Sequence, residues 1–265
     1  MIHVQIEQLA DSIRETMGSG LPSNPLQIAK DEGILLGPGD FRESFLGRIE
    51  YHPNKDKFLL LYPQQGNQRR IRFSLSHELG HYYIEGHRQL LMTGQAHNSM
   101  SGFICDDQLE READTFAAAL LIPRYYIEQS MKTRGFMTLS NILKMADDCE
   151  TSITCAAIRY VQYAAEPCAA VLSENGKVLF GITSDEMGAI GLKVIRRGTV
   201  VPDNSPTANC MVHPNVNVIV EGKSDSAGWF ANRYKTIDLW EESIPLGYSG
   251  QYITLLACNS EEPEE

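Results

Sequence analysis

Residues 69–87, RRIRFSLSHELGHYYIEGH, have helical length and no proline, and they set His77 and His81 four positions apart with Glu78 beside the first. Positions four apart on a helix share a face, so both imidazoles can aim at one point while Glu78 projects alongside. The run matches H-E-x-x-H, in which two histidines hold one tetrahedral Zn2+ at about 2.0–2.1 Å and the glutamate acts as general base. A catalytic zinc of this kind needs a third protein ligand and keeps its fourth position open.

Four residues are candidates for that third ligand. His87 lies near the metzincin spacing, but Ile84 stands where that pattern wants glycine, and His87 reads equally well as a cap on the helix C-terminus. His97 sits in a stretch, 88–106, that reads as a long loop. The next helix, 107–120, offers Glu110 and Glu112. Glu110 and Asp114 share a face, so one can ligate while the other takes the N–H of a ligand histidine. Glu112 lies about 200° round from Glu110 and is expected to face solvent. The third ligand is therefore placed at Glu110, with Asp114 orienting a histidine.

The rest of the chain divides by texture. Apolar spacing predicts helices over 2–17 and from Asn24-Pro25 to Gly33, then a strand at 34–36 and a hairpin of 46–51 with 57–62. Further helices are expected near 124–134, 138–148 and 152–164, and from Pro167 short apolar runs (AAVL, KVLFGI, LKVI, VNVIV, YITLLA) imply strands. The expected organisation is a metallopeptidase-like domain over 1–128, a helical, helix-turn-helix-like segment over 129–165, a strand-rich domain over 166–260 and an acidic tail, 261–265. The fold class is α+β.

Composition narrows the function. The net charge of −11 repels a phosphate backbone, so direct nucleic-acid binding is not expected as the main activity. No apolar run reaches the eighteen or so residues that span a bilayer, and the early acidic residues argue against a signal peptide. Six cysteines without C-x-x-C pairs fit a reducing cytoplasm, and no membrane partner is expected.

The runs RRIRFSLSHELGHYYIEGH and EREADTFAAALLIP together resemble the paired signatures of the ImmA/IrrE family of metallopeptidases, with Pro123 in its place. The likeness covers about residues 1–165; the remainder loosely resembles the GAF-like domain of the IrrE branch. The resemblance implies a zincin-like domain with a small antiparallel sheet, a helical middle segment and a sensory α/β domain. It also implies a zinc endopeptidase that cleaves cytoplasmic Xre-type transcriptional repressors in a mobile-element or stress response. Carried over, His77, His81 and Glu110 are the zinc ligands, Glu78 the general base and Asp114 the orienting residue. The segment 138–164 departs from the family in lacking a basic face, since Asp147, Asp148 and Glu150 stand there.

On this reading Glu78 takes a proton from water, and Tyr82, Tyr83 or His97 is a candidate donor to the tetrahedral oxyanion. Ordinary histidine ligands predict that zinc affinity and activity fall below about pH 6. Cys105 could occupy the open metal position as a thiolate and hold the enzyme latent. Two rival classes remain: a non-catalytic regulator or sensor working through its C-terminal domain, and a DNA-binding regulator using 138–164.

Overall fold

The computed structural model describes residues 3–39, 47–93, 107–134, 138–231, 236–247 and 250–258. His97, Cys105 and the tail 261–265 lie outside the described residues. The chain is α+β and forms two compact units, Met1–Arg124 with Asp147–Ser152, and Tyr125–Ala146 with Ile153–Glu265.

In the first unit, α1 (His3–Thr16) buries Ile6 and Ala10 from its apolar stripe. Helix α2 (Pro25–Asp31) starts at Asn24, whose side chain accepts from the Gln27 amide, with Pro25 at a position where its missing N–H costs nothing. Strands β1 (Leu35–Pro38), β2 (Arg48–His52) and β3 (Lys57–Tyr62) form a sheet in the order β1-β3-β2. A 3₁₀ turn, Pro53–Lys55, joins the antiparallel pair β2 and β3, and β3 buries Phe58 and Leu60 on one face. The expected antiparallel sheet is in fact mixed: β3 inserts between β1 and β2 and runs parallel to β1, with Leu35 opposite Leu59.

Helix α3 (Gln68–Tyr83) begins at Asn67, whose side chain accepts from the Arg70 amide. It does not continue to residue 87. The chain turns at Ile84 (φ −73°, ψ 112°), which is buried in the core, and a new helix, α4 (Glu85–Met92), follows. Residues 88–92, expected in a loop, are thus helical. Helix α5 (Gln108–Leu121) starts at Asp107, which accepts from the Leu109 amide, and lies along α3. The two helices approach so closely at Gly80 that an added Cβ would stand 3.1 Å from Ala113 Cα and 3.2 Å from its carbonyl oxygen.

The chain then runs through α6 (Arg124–Arg134), α7 (Leu139–Asp148) and α8 (Ile153–Tyr163), all near their expected bounds. The second unit continues with β4 (Cys168–Glu174), β5 (Lys177–Thr183), α9 (Asp185–Ala189), α10 (Pro206–Val212), β6 (Val220–Asp225), α11 (Ser226–Trp229), β7 (Asp238–Pro245) and β8 (Gln251–Cys258). Its five strands form an antiparallel sheet in the order β5-β4-β8-β7-β6. Two apolar runs do not form the strands expected of them. LKVI is irregular but anchored, because Ile195 packs on Gly181, and in VNVIV only Val220 is in a strand while Val216 and Val218 are exposed.

Strand β7, in contrast, carries charge where burial is greatest. Glu241 is fully buried and accepts from the Thr207 amide (2.8 Å), the Thr207 hydroxyl (2.7 Å) and Trp229 Nε1 (2.9 Å). Its neighbour Glu242 points to the opposite face and accepts from the Leu139 amide. Each carboxylate thus meets the N-terminal turn of a helix, α10 or α7, where the helix dipole favours a negative charge.

The tight seam between α3 and α5 predicts that Gly80→Val destabilises the chain by about 1–3 kcal/mol, because backbone atoms of α5 would have to move. Urea unfolding of the variant checks this, and an unchanged midpoint would show that the seam can relax.

Candidate metal centre

The turn-by-turn spacing of α3 places His77 and His81 on the face that meets α5, and both are buried. Glu110, in the first turn of α5, completes a cluster whose ligand atoms all lie within 4.8 Å of one another. His77 Nε2 is 3.1 Å from His81 Nε2 and 3.3 Å from Glu110 Oε2, and His81 Nε2 is 3.4 Å from Glu110 Oε1. A tetrahedral zinc with bonds of about 2.0–2.1 Å sets its ligand atoms about 3.3–3.4 Å apart, so the three donors have the spacing of one face of such a site. Glu110 Oε2 is buried and accepts no hydrogen bond, as a carboxylate oxygen reserved for a cation would be. The donor set, two imidazoles and one carboxylate, is that of a catalytic zinc.

Buried partners orient the donors. His77 Nδ1 meets Asp114 Oδ1 at 2.8 Å, one turn beyond Glu110 on α5. Since a carboxylate only accepts, His77 carries a proton on Nδ1, and once the ring is neutral its Nε2 lone pair faces the cluster. His81 Nδ1 meets His87 Nδ1 at 3.1 Å, and His87 Nε2 meets Glu112 Oε2 at 3.1 Å.

Glu78 is buried in a separate cradle. The Ile49 amide, at the β2 edge, donates to its Oε2 at 2.9 Å. Gly47 leaves room for it, because an added Cβ there would come within 3.0 Å of Glu78 Cγ. Neither contact is legible in the sequence, since both depend on a strand folding back onto α3 and on backbone atoms that carry no residue signature.

The remaining candidates separate. His87 is not at the cluster, nor does it cap α3. It sits on α4, buried behind His81. Glu112 does not face solvent either, because the direction away from Glu110 points to α4, where His87 waits. The Tyr82 hydroxyl donates to Glu32 at 3.0 Å and the Tyr83 ring stacks on Phe116.

Burial opposes a charge on His77, yet its contacts with Asp114 and Glu110 outweigh burial and raise its pKa to about 10. Burial likewise opposes charge on Glu110, but His77 and His81 hold its carboxyl well below the usual range. A histidine raised in this way stabilises the metal-free fold fully below its ordinary value of 6.5 and loses that contribution as pH rises through about 10. Proton competition with a metal therefore extends far above the pH 6 expected of ordinary histidines. Apparent zinc affinity, read by chelator competition, should climb about tenfold per pH unit between about pH 7 and pH 9. A flat affinity over that interval would show that His77 is already neutral.

A histidine pair on one buried helix and a glutamate from the next form a candidate metal centre, with a buried carboxylate, Glu78, on the same helix as the histidines. Residues 33–152 match the family model described as the IrrE N-terminal-like domain. The fold is also similar to that of a Mycobacterium tuberculosis transcriptional regulator, with a TM-score of 0.62 at 13% identity over 97% of this chain and 76% of the other. No protein of curated function matches the chain in sequence.

Proposed function

We propose that this chain is a zinc-dependent endopeptidase that hydrolyses a peptide bond in a cytoplasmic DNA-binding repressor of the Xre type, within a mobile-element or stress response. The observation that carries the reading is Glu78, buried and held by the Ile49 amide on the same helix as His77 and His81. A closed structural metal site has no use for such a carboxylate.

His77, His81 and Glu110 would hold the zinc, with Asp114 orienting His77. Zinc bound there supplies Lewis acidity to a scissile carbonyl and to a water. The Glu78 carboxylate accepts the proton of the attacking water and delivers it to the leaving amine nitrogen as the C–N bond breaks. The Ile49 amide holds one carboxylate oxygen in place, which fixes the plane in which the other moves the proton.

The acidic chain, at −11, favours encounter with a basic partner such as a DNA-binding repressor. Among the described residues no helix is long and apolar enough to cross a membrane. A second reading, a regulator that uses this scaffold without hydrolysis, draws on the likeness in fold to the mycobacterial transcriptional regulator.

The two readings part at Glu78. Incubated with a panel of Xre-type repressors, wild type should release fragments. Glu78→Gln should keep its zinc and lose cleavage by about 10²–10⁴-fold or more. Glu110→Ala should lose both zinc and cleavage. Comparable cleavage by Glu78→Gln would remove the carboxylate from the mechanism, and wild type that binds repressors without cutting any would favour the regulator.

A further inference from the structure

We propose that Glu112 and His87 are positioning residues that set the tautomer of His81, so that a carboxylate two side chains away aims its Nε2 lone pair at the metal. The inference rests on reading His77, His81 and Glu110 as a zinc site, and it goes beyond that reading by assigning a role to two residues outside it.

The protons are fixed from the outer end inward. Glu112, as a carboxylate, accepts only: Oε1 takes the Gln108 side-chain amide at 3.0 Å and Oε2 lies 3.1 Å from His87 Nε2. His87 must therefore carry a proton on Nε2, and in the neutral ring this leaves Nδ1 as a lone pair. That lone pair faces His81 Nδ1 at 3.1 Å, a nitrogen-to-nitrogen contact that holds only if one partner donates. His81 is then protonated on Nδ1, and its Nε2 lone pair is directed to the cluster shared with His77 and Glu110. With both rings neutral each step leaves one arrangement, so the acceptor at Glu112 propagates inward through two imidazoles.

His77 receives the same instruction directly from Asp114. The two ligands are thus oriented by different devices, one carboxylate in contact and one relayed. The relay also explains the bend at Ile84. On a continuous helix His81 and His87 would lie about 240° apart and could not meet. By ending α3 and starting α4, Ile84 turns His87 back onto His81, and both rings are buried. Glu112 and His87 also border an open groove that includes Gln108 and Glu85.

The test uses the full zinc-loaded chain. Long-range ¹H–¹⁵N correlation spectra should show the Nδ1–H tautomer for His81 and the Nε2–H tautomer for His87; an Nδ1–H tautomer at His87 would overturn the relay. In chelator competition, His87→Leu should weaken zinc binding about 10–100-fold. Glu112→Ala should weaken it in the same direction and shift the His87 ring nitrogens towards a mixed tautomer. His87→Gln, whose amide can both accept from His81 and donate to Glu112, should recover most of the loss, which a role in packing alone does not predict. Zinc bound normally by wild type and by both His87→Leu and Glu112→Ala overturns the proposal and leaves the metal site standing. Failure of wild type itself to bind zinc overturns the metal site and the proposal with it. The tautomer measurement needs no variant, so a misfolded His87→Leu does not remove the test.

Discussion

Everything at the centre depends on how closely α5 lies against α3. Helix α3 buries Ser74, Ser76, His77, Glu78 and His81, a polar load that no apolar neighbour could satisfy. Helix α5 answers with carboxylates in its first two turns: Glu110 at the ligand cluster, Asp114 on His77, and Glu112 on His87. Their reach is short, so the helix axes must be near, and Gly80 opposite Ala113 allows it. The seam is a packing contact in origin, but its consequence is electrostatic, because it brings three buried carboxylates to three buried imidazoles.

The same economy recurs in the second unit. Strand β7, DLWEESIP, lies between β8 and β6 with Glu241 and Glu242 buried on opposite faces. Neither is an unpaired charge. Glu241 is met by Thr207 and Trp229, and Glu242 by the backbone of Leu139, so each carboxylate exchanges solvent for oriented donors. Burial raises the pKa of Glu242 against the pull of that amide. In both units, then, buried acid side chains fasten helices, once to a site and once to a sheet.

Local signals make most of the helices legible. The apolar stripe of α1, the Asn24-Pro25 start of α2 and the stop at Pro123 are properties of a few neighbouring residues, and the elements appear where they point. The strands are harder. LKVI and VNVIV have the composition of strands, yet LKVI meets the edge strand β5 through the Ile195 side chain and only the last residue of VNVIV joins β6, so composition alone does not make a strand. The α3–α4 break is hidden because Ile84 is a poor signal for a turn; what bends the chain there is the burial of Ile84 in the core of the first unit.

For the site, the sequence by itself determined the parts held by one helix at a time. His77 and His81 share a face because they are four apart, and Glu110 shares a face with Asp114 for the same reason. Only the tertiary structure decided what those faces meet. Whether Glu112 faces solvent or a histidine, whether His87 ligates or supports, and which backbone amide holds Glu78 all depend on where α4 and β2 return to α3. Helical spacing is a property of local backbone geometry and can be counted along the chain. The identity of the neighbour across a packing interface is set by the folding of distant segments, and no spacing encodes it.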